Sequence, residues 1–291
     1  MAFNLQTFKT RTLTAIVFAV VMLSGLLINQ WTFFILFTII HFGCWIEYQK
    51  LIGLIDEDYK QIDWFHKYSI MLLGFCFMMW MTNYSYKINR IELQGIGWLV
   101  GLIIAILFLG KEIVFKKQLN IKLIGYSLLG LIYISLSWGL MMSIRNIGMV
   151  FKFSRLIFDF GMIYPLIIIV SIWINDTMAY IVGSFIGKTP LSKISPKKTW
   201  EGTVGGVILS VTVIGLISYL ITKNIDVNIL IIALIAAVAG TFGDLLESKI
   251  KRMANVKDSG SFMPGHGGFL DRFDSLLIAT PFVWLFIKLF V

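Results

Sequence analysis

Acids, bases and glycines concentrate in two stretches of the C-terminal half of the chain, residues 175–201 and 240–274. Read as a helix, residues 240–252 space Asp244, Glu247, Ser248 and Lys251 at i, i+3, i+4 and i+7. That spacing puts two acids and a base on one face. Carboxylate oxygens are what hard divalent cations take, and Mg²⁺ commonly shares one or two carboxylates with substrate phosphates. Asp271 and Asp274 fall in the first turn of the next apolar segment. One acid there can cap the helix. Two caps exceed what a helix needs, so at least one acid is left for another task. Asp244 with Asp271 is the pair expected to hold a cation, with Asp274 and Glu247 in support.

Gly265, Gly267 and Gly268 surround His266. Glycines permit backbone conformations that expose consecutive N–H groups, a concavity suited to phosphate oxygens. The loop leads into a helix N-terminus, which also favours anions. His266 is read as a phosphate contact or a loop-shaping residue rather than a general base, because a phosphomonoester is largely ionised near neutrality. Residues 195–202 read Ser-Pro-Lys-Lys-Thr-Trp-Glu-Gly. Pro196 breaks the backbone, Lys197 and Lys198 supply positive charge, and Thr199 to Glu201 lead into another apolar run. Asp176, beside Asn175, lies inside an apolar run, where a charge is costly and is read as functional. His41 and His66 have no matching partners in sequence and are read as interfacial or packed. No Walker A motif, dinucleotide fingerprint, HExxH or GxSxG is present.

What positions these residues is a set of membrane helices. Of 291 residues, 58% are hydrophobic and 14% charged, with a mean hydropathy of +0.84. Soluble domains carry about a quarter charged residues, so a soluble enzyme, a disordered tail and a disulfide scaffold are excluded. A span needs about 20 mostly apolar residues. Nine runs qualify: 12–29, 31–49, 68–84, 95–110, 123–143, 161–185, 204–222, 227–246 and 273–291. The expected fold is an all-α polytopic integral membrane protein with about nine transmembrane helices. With the N-terminus inside, most of the 25 basic residues fall on the inner side, which favours N-in and C-out. The net charge of +9 is then largely topology, with the remainder available to anionic substrates rather than nucleic acid.

Residues 1–160 read as N-terminal transmembrane scaffold and 161–291 as the catalytic membrane region with cytoplasmic loops, one membrane domain overall. The connection at Asn29–Trp31 is short enough to demand a tight helical hairpin. Trp31, Trp64, Trp98 and Tyr126 lie near span ends, where amphipathic rings prefer the interface. Cys44 and Cys76 sit inside spans and read as buried thiols. The first span, with no small-residue cleavage site after it, reads as retained.

The run from Ser248 to Asp274 resembles the signature of the phosphatidate cytidylyltransferases. It does so through Ser248, Lys251, Arg252, Lys257, Asp258, Gly260, Pro264, His266, Gly267, Gly268, Asp271, Arg272 and Asp274. The stretch 195–202, Asp176 and the Gly-Asp-Leu-x-Glu-Ser segment around Asp244 look like that family too. Met263 departs from it, where Leu, Ile or Phe is usual, an apolar exchange that leaves the chemistry alone. The resemblance implies that CTP and phosphatidate give CDP-diacylglycerol and pyrophosphate. It further implies Mg²⁺, with K⁺ as a second ion, and a homodimer in the bilayer. By position Asp244 and Asp271 match the family's metal-binding acids. Asp176, Ser195, Thr199, Glu201, Ser248, Gly265, Gly267 and Gly268 are the residues expected to bind substrate.

The residue chemistry fits that reaction. The phosphatidate phosphate would attack the α-phosphorus of CTP in line, with Lys197, Lys198, Lys251, Arg252, Lys257, His266 and Arg272 around the anions. Lack of a targeting extension suits a bacterial plasma membrane with the site facing the cytoplasm. Another membrane lipid-phosphate nucleotidyl- or phosphotransferase would use the same physics with a different pocket. An ion-coupled transporter is disfavoured, because the charges gather on one face of the membrane and no paired halves are evident.

Overall fold

The computed structural model describes residues 5–115, 120–147, 150–153, 156–262 and 267–291. It is almost wholly helical and divides into two compact units: residues 1–143 with 253–272, and residues 144–252 with 273–291.

The first unit begins with α1 (Leu5–Leu27) and α2 (Gln30–Ile55), joined by the short turn the sequence demands. Asn29 caps α2: its side chain accepts from the Trp31 and Thr32 N–H groups at 2.8 and 2.9 Å, and Thr32 Oγ accepts from the Asn29 N–H. This reciprocal pair satisfies donors that a helix start leaves orphaned. There follow α3 (Glu57–Lys60), α4 (Trp64–Trp80), a hairpin of β1 (Lys87–Ile88) and β2 (Ile91–Glu92), and α5 (Leu93–Gly110), which runs on as a π-turn over Lys111–Phe115. Next come α6 (Ile121–Gly130), a π segment Leu131–Leu136 and α7 (Ser137–Asn146).

Its core is aromatic, with Phe33, Phe37, Trp45 and Trp138 fully buried. Cys44 and Cys76 are buried free thiols, as expected. The histidines are packed in the interior, one of the two placements the sequence reading offers, and they have partners that the sequence alone does not show. His41 meets Ser135 Oγ at 3.1 Å. Buried His66 lies between Glu112 (3.0 Å) and Ser127 (2.8 Å). Both histidines therefore have side-chain partners on segments distant in sequence, through Nε2 for His41 and both ring nitrogens for His66. At the end of α2, Asp56 caps α3 and pairs with Lys122 at 2.5 Å. The Lys122 hydrogen bond is the main cause holding the Asp56 carboxyl below the usual range.

The second unit holds a hairpin of β3 (Val150–Phe153) and β4 (Leu156–Asp159), then α8 (Ile163–Ile186), α9 (Trp200–Thr222), α10 (Val227–Met253) and α11 (Leu270–Phe290). The two small hairpins are the departures from an all-helical chain among the described residues. Helices α8 and α9 lie close together, with Ser210 Oγ donating to the Ser171 carbonyl at 2.8 Å.

Seven helices among the described residues are long and apolar enough to cross a membrane: Gln30–Ile55, Leu93–Ile113, Ile121–Asn146, Ile163–Ile186, Trp200–Thr222, Val227–Met253 and Leu270–Phe290. The two remaining runs of the sequence reading, 12–29 and 68–84, also fall on helices, the shorter apolar stretch Thr12–Leu27 and the 17-residue α4. Exposed apolar side chains such as Leu99, Ile103 and Ile106 on α5, and Ile208 and Leu220 on α9, suit contact with lipid.

Candidate active site

In the second unit the chemistry gathers where α10 meets α11. Gly243 of α10 lies directly against the backbone of Asp274 and Ser275 in α11, close enough that any Cβ at 243 would overlap it. The absence of a side chain there lets the two helices approach. The approach brings Asp274 to Asp244 and Glu247. One ligand oxygen from each of these three acids lies within 4.8 Å of the others. Among the described residues this is where side chains come close enough together to hold a metal ion. Glu247 and Asp274 are buried, and Asp244 is partly so.

The acids are balanced by two lysines. Lys198, just before α9, pairs with Asp244, and Lys251 pairs with Glu247 one turn earlier on α10 at 2.5 Å. Burial lowers the Lys198 pKa, while the charges of Asp176 and Asp274 oppose that shift and Lys251 adds to it. Ser248 Oγ lies 3.4 Å from Asp244 Oδ1, and the Asp274 carboxylate accepts from the Ser275 N–H at 2.6 Å. Asp176 sits exposed on α8, near enough to act electrostatically on Lys198. Its neighbour Asn175 is buried and donates to Thr241 at 3.3 Å.

The loop that delivers Lys198 is braced at both ends. The Leu191 N–H donates to the Lys198 carbonyl at 2.7 Å and the Trp200 N–H to the Thr189 carbonyl at 2.9 Å. Thr199 Oγ caps α9 by accepting from the Gly202 N–H, and the Glu201 carboxylate accepts from the Lys188 and Thr189 N–H groups. Ser195 N–H donates to Ser192 Oγ, and Lys197 is exposed. Ser195, Thr199 and Glu201 thus shape the loop that carries Lys198.

Asp271 is placed in the other unit, with the glycine-containing loop. Its Oδ2 accepts from the Ser259 N–H (2.8 Å) and Gly268 N–H (2.7 Å), with Ser259 Oγ 2.9 Å away. Gly267 has φ +83°, a conformation that favours glycine. The Phe269 and Leu270 N–H groups at the start of α11 donate to Glu47 of α2, each at 2.9 Å. The donors that the sequence reading offers to phosphate at this helix start are therefore engaged by carboxylates. Arg252, Lys257 and Arg272 are exposed. Gly265 and His266, with Met263 and Pro264, lie outside the described residues. Glu47 was missed by sequence reasoning. The available signal was an acid within an apolar span.

A family model described as the cytidylyltransferase family matches residues 9–290. The chain belongs to the cytidylyltransferase family. Its relatives include a phosphatidate cytidylyltransferase of Bacillus subtilis (strain 168), 34% identical over 216 residues, 73% of this chain and 77% of that protein. One of Staphylococcus saprophyticus is 30% identical over 275 residues, 94% of this chain and 96% of the relative. One of Staphylococcus aureus (strain COL) is 42% identical over 143 residues, 48% of this chain and 55% of the relative. The resemblance read from residues 248–274 therefore extends over nearly the whole chain as family membership.

Proposed function

We propose that this family member transfers the cytidylyl group of CTP to phosphatidate, giving CDP-diacylglycerol and pyrophosphate. The observation that carries the reading is the gathering of Asp244, Glu247 and Asp274 with Lys198 and Lys251 in a chain of apolar helices. One substrate is a soluble polyanion and the other a lipid with an anionic headgroup, so their meeting place needs carboxylates, ammonium groups and a membrane surface together.

An oxygen of the phosphatidate phosphate attacks the α-phosphorus of CTP, a new P–O bond forms, and the bond from the α-phosphorus to the β-phosphate bridge breaks. Three carboxylates offer hard oxygen donors, the set that Mg²⁺ takes, and Asp244, Glu247 and Asp274 are the residues we propose to hold it. When bound, Mg²⁺ supplies Lewis-acid neutralisation of the phosphate charge. Lys198 and Lys251, already held among these acids, orient and neutralise the phosphates as charge moves to the leaving pyrophosphate. Lys197, Arg252, Lys257 and Arg272 supply further cations. Asp271 enters through the loop, whose N–H and hydroxyl groups it organises. The positive-inside count supports an N-in, C-out arrangement of about nine spans, with the site on the cytoplasmic side of a bacterial inner membrane.

The test is pyrophosphate release by purified protein in mixed micelles, omitting CTP, phosphatidate and Mg²⁺ in turn. Release that requires all three supports the proposal. Release that is indifferent to phosphatidate contradicts it.

A further inference from the structure

Glu47 sits on α2, more than 200 residues before the loop it serves. It is buried within a helix apolar enough to cross a membrane. A carboxylate in such a place is expensive and marks function by default. Here both oxygens are used: Oε1 accepts from the Phe269 N–H at 2.9 Å, and Oε2 accepts from the Leu270 N–H at 2.9 Å and from Ser259 Oγ–H at 2.7 Å. The two backbone donors belong to the residue just before α11 and to its first residue, so Glu47 caps that helix from another helix and sets its negative charge against the positive end of the dipole.

The loop is shaped around this one side chain. A Cβ added at Gly260 or Gly268 would overlap the Glu47 carboxylate, and one at Gly43, a turn earlier on α2, would overlap the Phe269 ring. Phe262 and Phe269 lie with their rings 4.0 Å apart. Ser259 Oγ also lies 2.9 Å from Asp271 Oδ2, so its single proton can serve either the Glu47 or the Asp271 carboxylate, and the hydroxyl links the two. Moving Glu47 therefore moves Ser259, Asp271 and the start of α11 together.

We infer that Glu47 is the positioning residue of this loop, fixing residues 259–262 and 267–271 so that Lys257 and Arg272, which flank them in sequence, meet the phosphates in one geometry. This rests on the proposed cytidylyl transfer. The test compares Glu47→Gln with the unmodified protein. Glutamine keeps the size but replaces one acceptor oxygen by an NH₂ group, which faces N–H donors. Turnover per folded molecule should fall about 100-fold in kcat/KM, the effect of misplacing reacting groups by about 1 Å. Hydrogen–deuterium exchange should quicken at the Gly268, Phe269 and Leu270 amides and stay unchanged in α8 and α9.

Ser259→Ala, which removes only the bridge, should lower kcat/KM about tenfold and keeps the question open to measurement if Glu47→Gln does not fold. Unchanged turnover per folded molecule in both variants would overturn the inference. So would exchange that quickens throughout the chain, the mark of a general structural role. An unmodified protein that fails to transfer cytidylyl groups would instead overturn the proposed function, and the exchange pattern would still judge the loop.

Discussion

Gly243→Ala is the substitution whose consequence is worked most directly from the geometry. The added methyl would overlap the Asp274 carbonyl oxygen and carbon and the Ser275 Cα. All three are backbone atoms, so no side chain can swing aside, and α10 and α11 must separate locally. Relief to ordinary contact requires roughly 1 Å, and overpacking of this kind typically costs about 1–3 kcal/mol. The protein should therefore still fold, with a modestly lower unfolding temperature. The separation acts where Asp274 faces Asp244 and Glu247, one and four residues beyond the glycine in the case of the latter two. A 1 Å misplacement lowers rates about 100-fold, so kcat/KM for pyrophosphate release from CTP and phosphatidate should fall by about that factor. The assay is a Mg²⁺ titration of the purified variant beside the unmodified protein. A folded Gly243→Ala protein with kcat/KM within about threefold of normal would refute the reasoning, because the acids would then not depend on this approach of the helices.

Asp274→Asn removes one of the three gathered carboxylates, and the Mg²⁺ concentration for half-maximal rate should rise at least about tenfold, read from the same titration. Asp56→Asn tests the acid side of stability. The Asp56 carboxyl is held low by Lys122, so its contribution is present above the carboxyl's unfolded pKa and lost as pH falls through the lower folded value. Unfolding temperatures measured from neutral pH down to about pH 3 should show a smaller acid-side decline in the variant than in the unmodified protein.

Much of the helix placement was legible because a membrane span is written locally, as a run of apolar residues of fixed length. Seven of the nine runs fall on helices long and apolar enough to cross a membrane, and the other two overlap shorter apolar helices. The clustering of Asp244 and Glu247 was legible for a similar reason, since i, i+3 spacing on one helix settles it. Asp274 was a harder matter: its proximity to them depends on Gly243, whose role appears only when a second helix lies against it. Glu47 and the grouping of 253–272 with residues 1–143 were not legible, because no local pattern links a lone acid in α2 to N–H groups of α11. His66 is the same lesson on a smaller scale, its partner Glu112 lying 46 residues away. The resemblance located the loop, and tertiary contact supplied what holds it.

The reaction itself is tested most directly with CTP radiolabelled on either the α- or the γ-phosphorus, incubated with phosphatidate, Mg²⁺ and the purified protein. Cytidylyl transfer predicts that α-label enters the lipid product and γ-label leaves as pyrophosphate. Lipid that carries the γ-label and no cytidine would mean transfer of the terminal phosphoryl group, and would contradict the account.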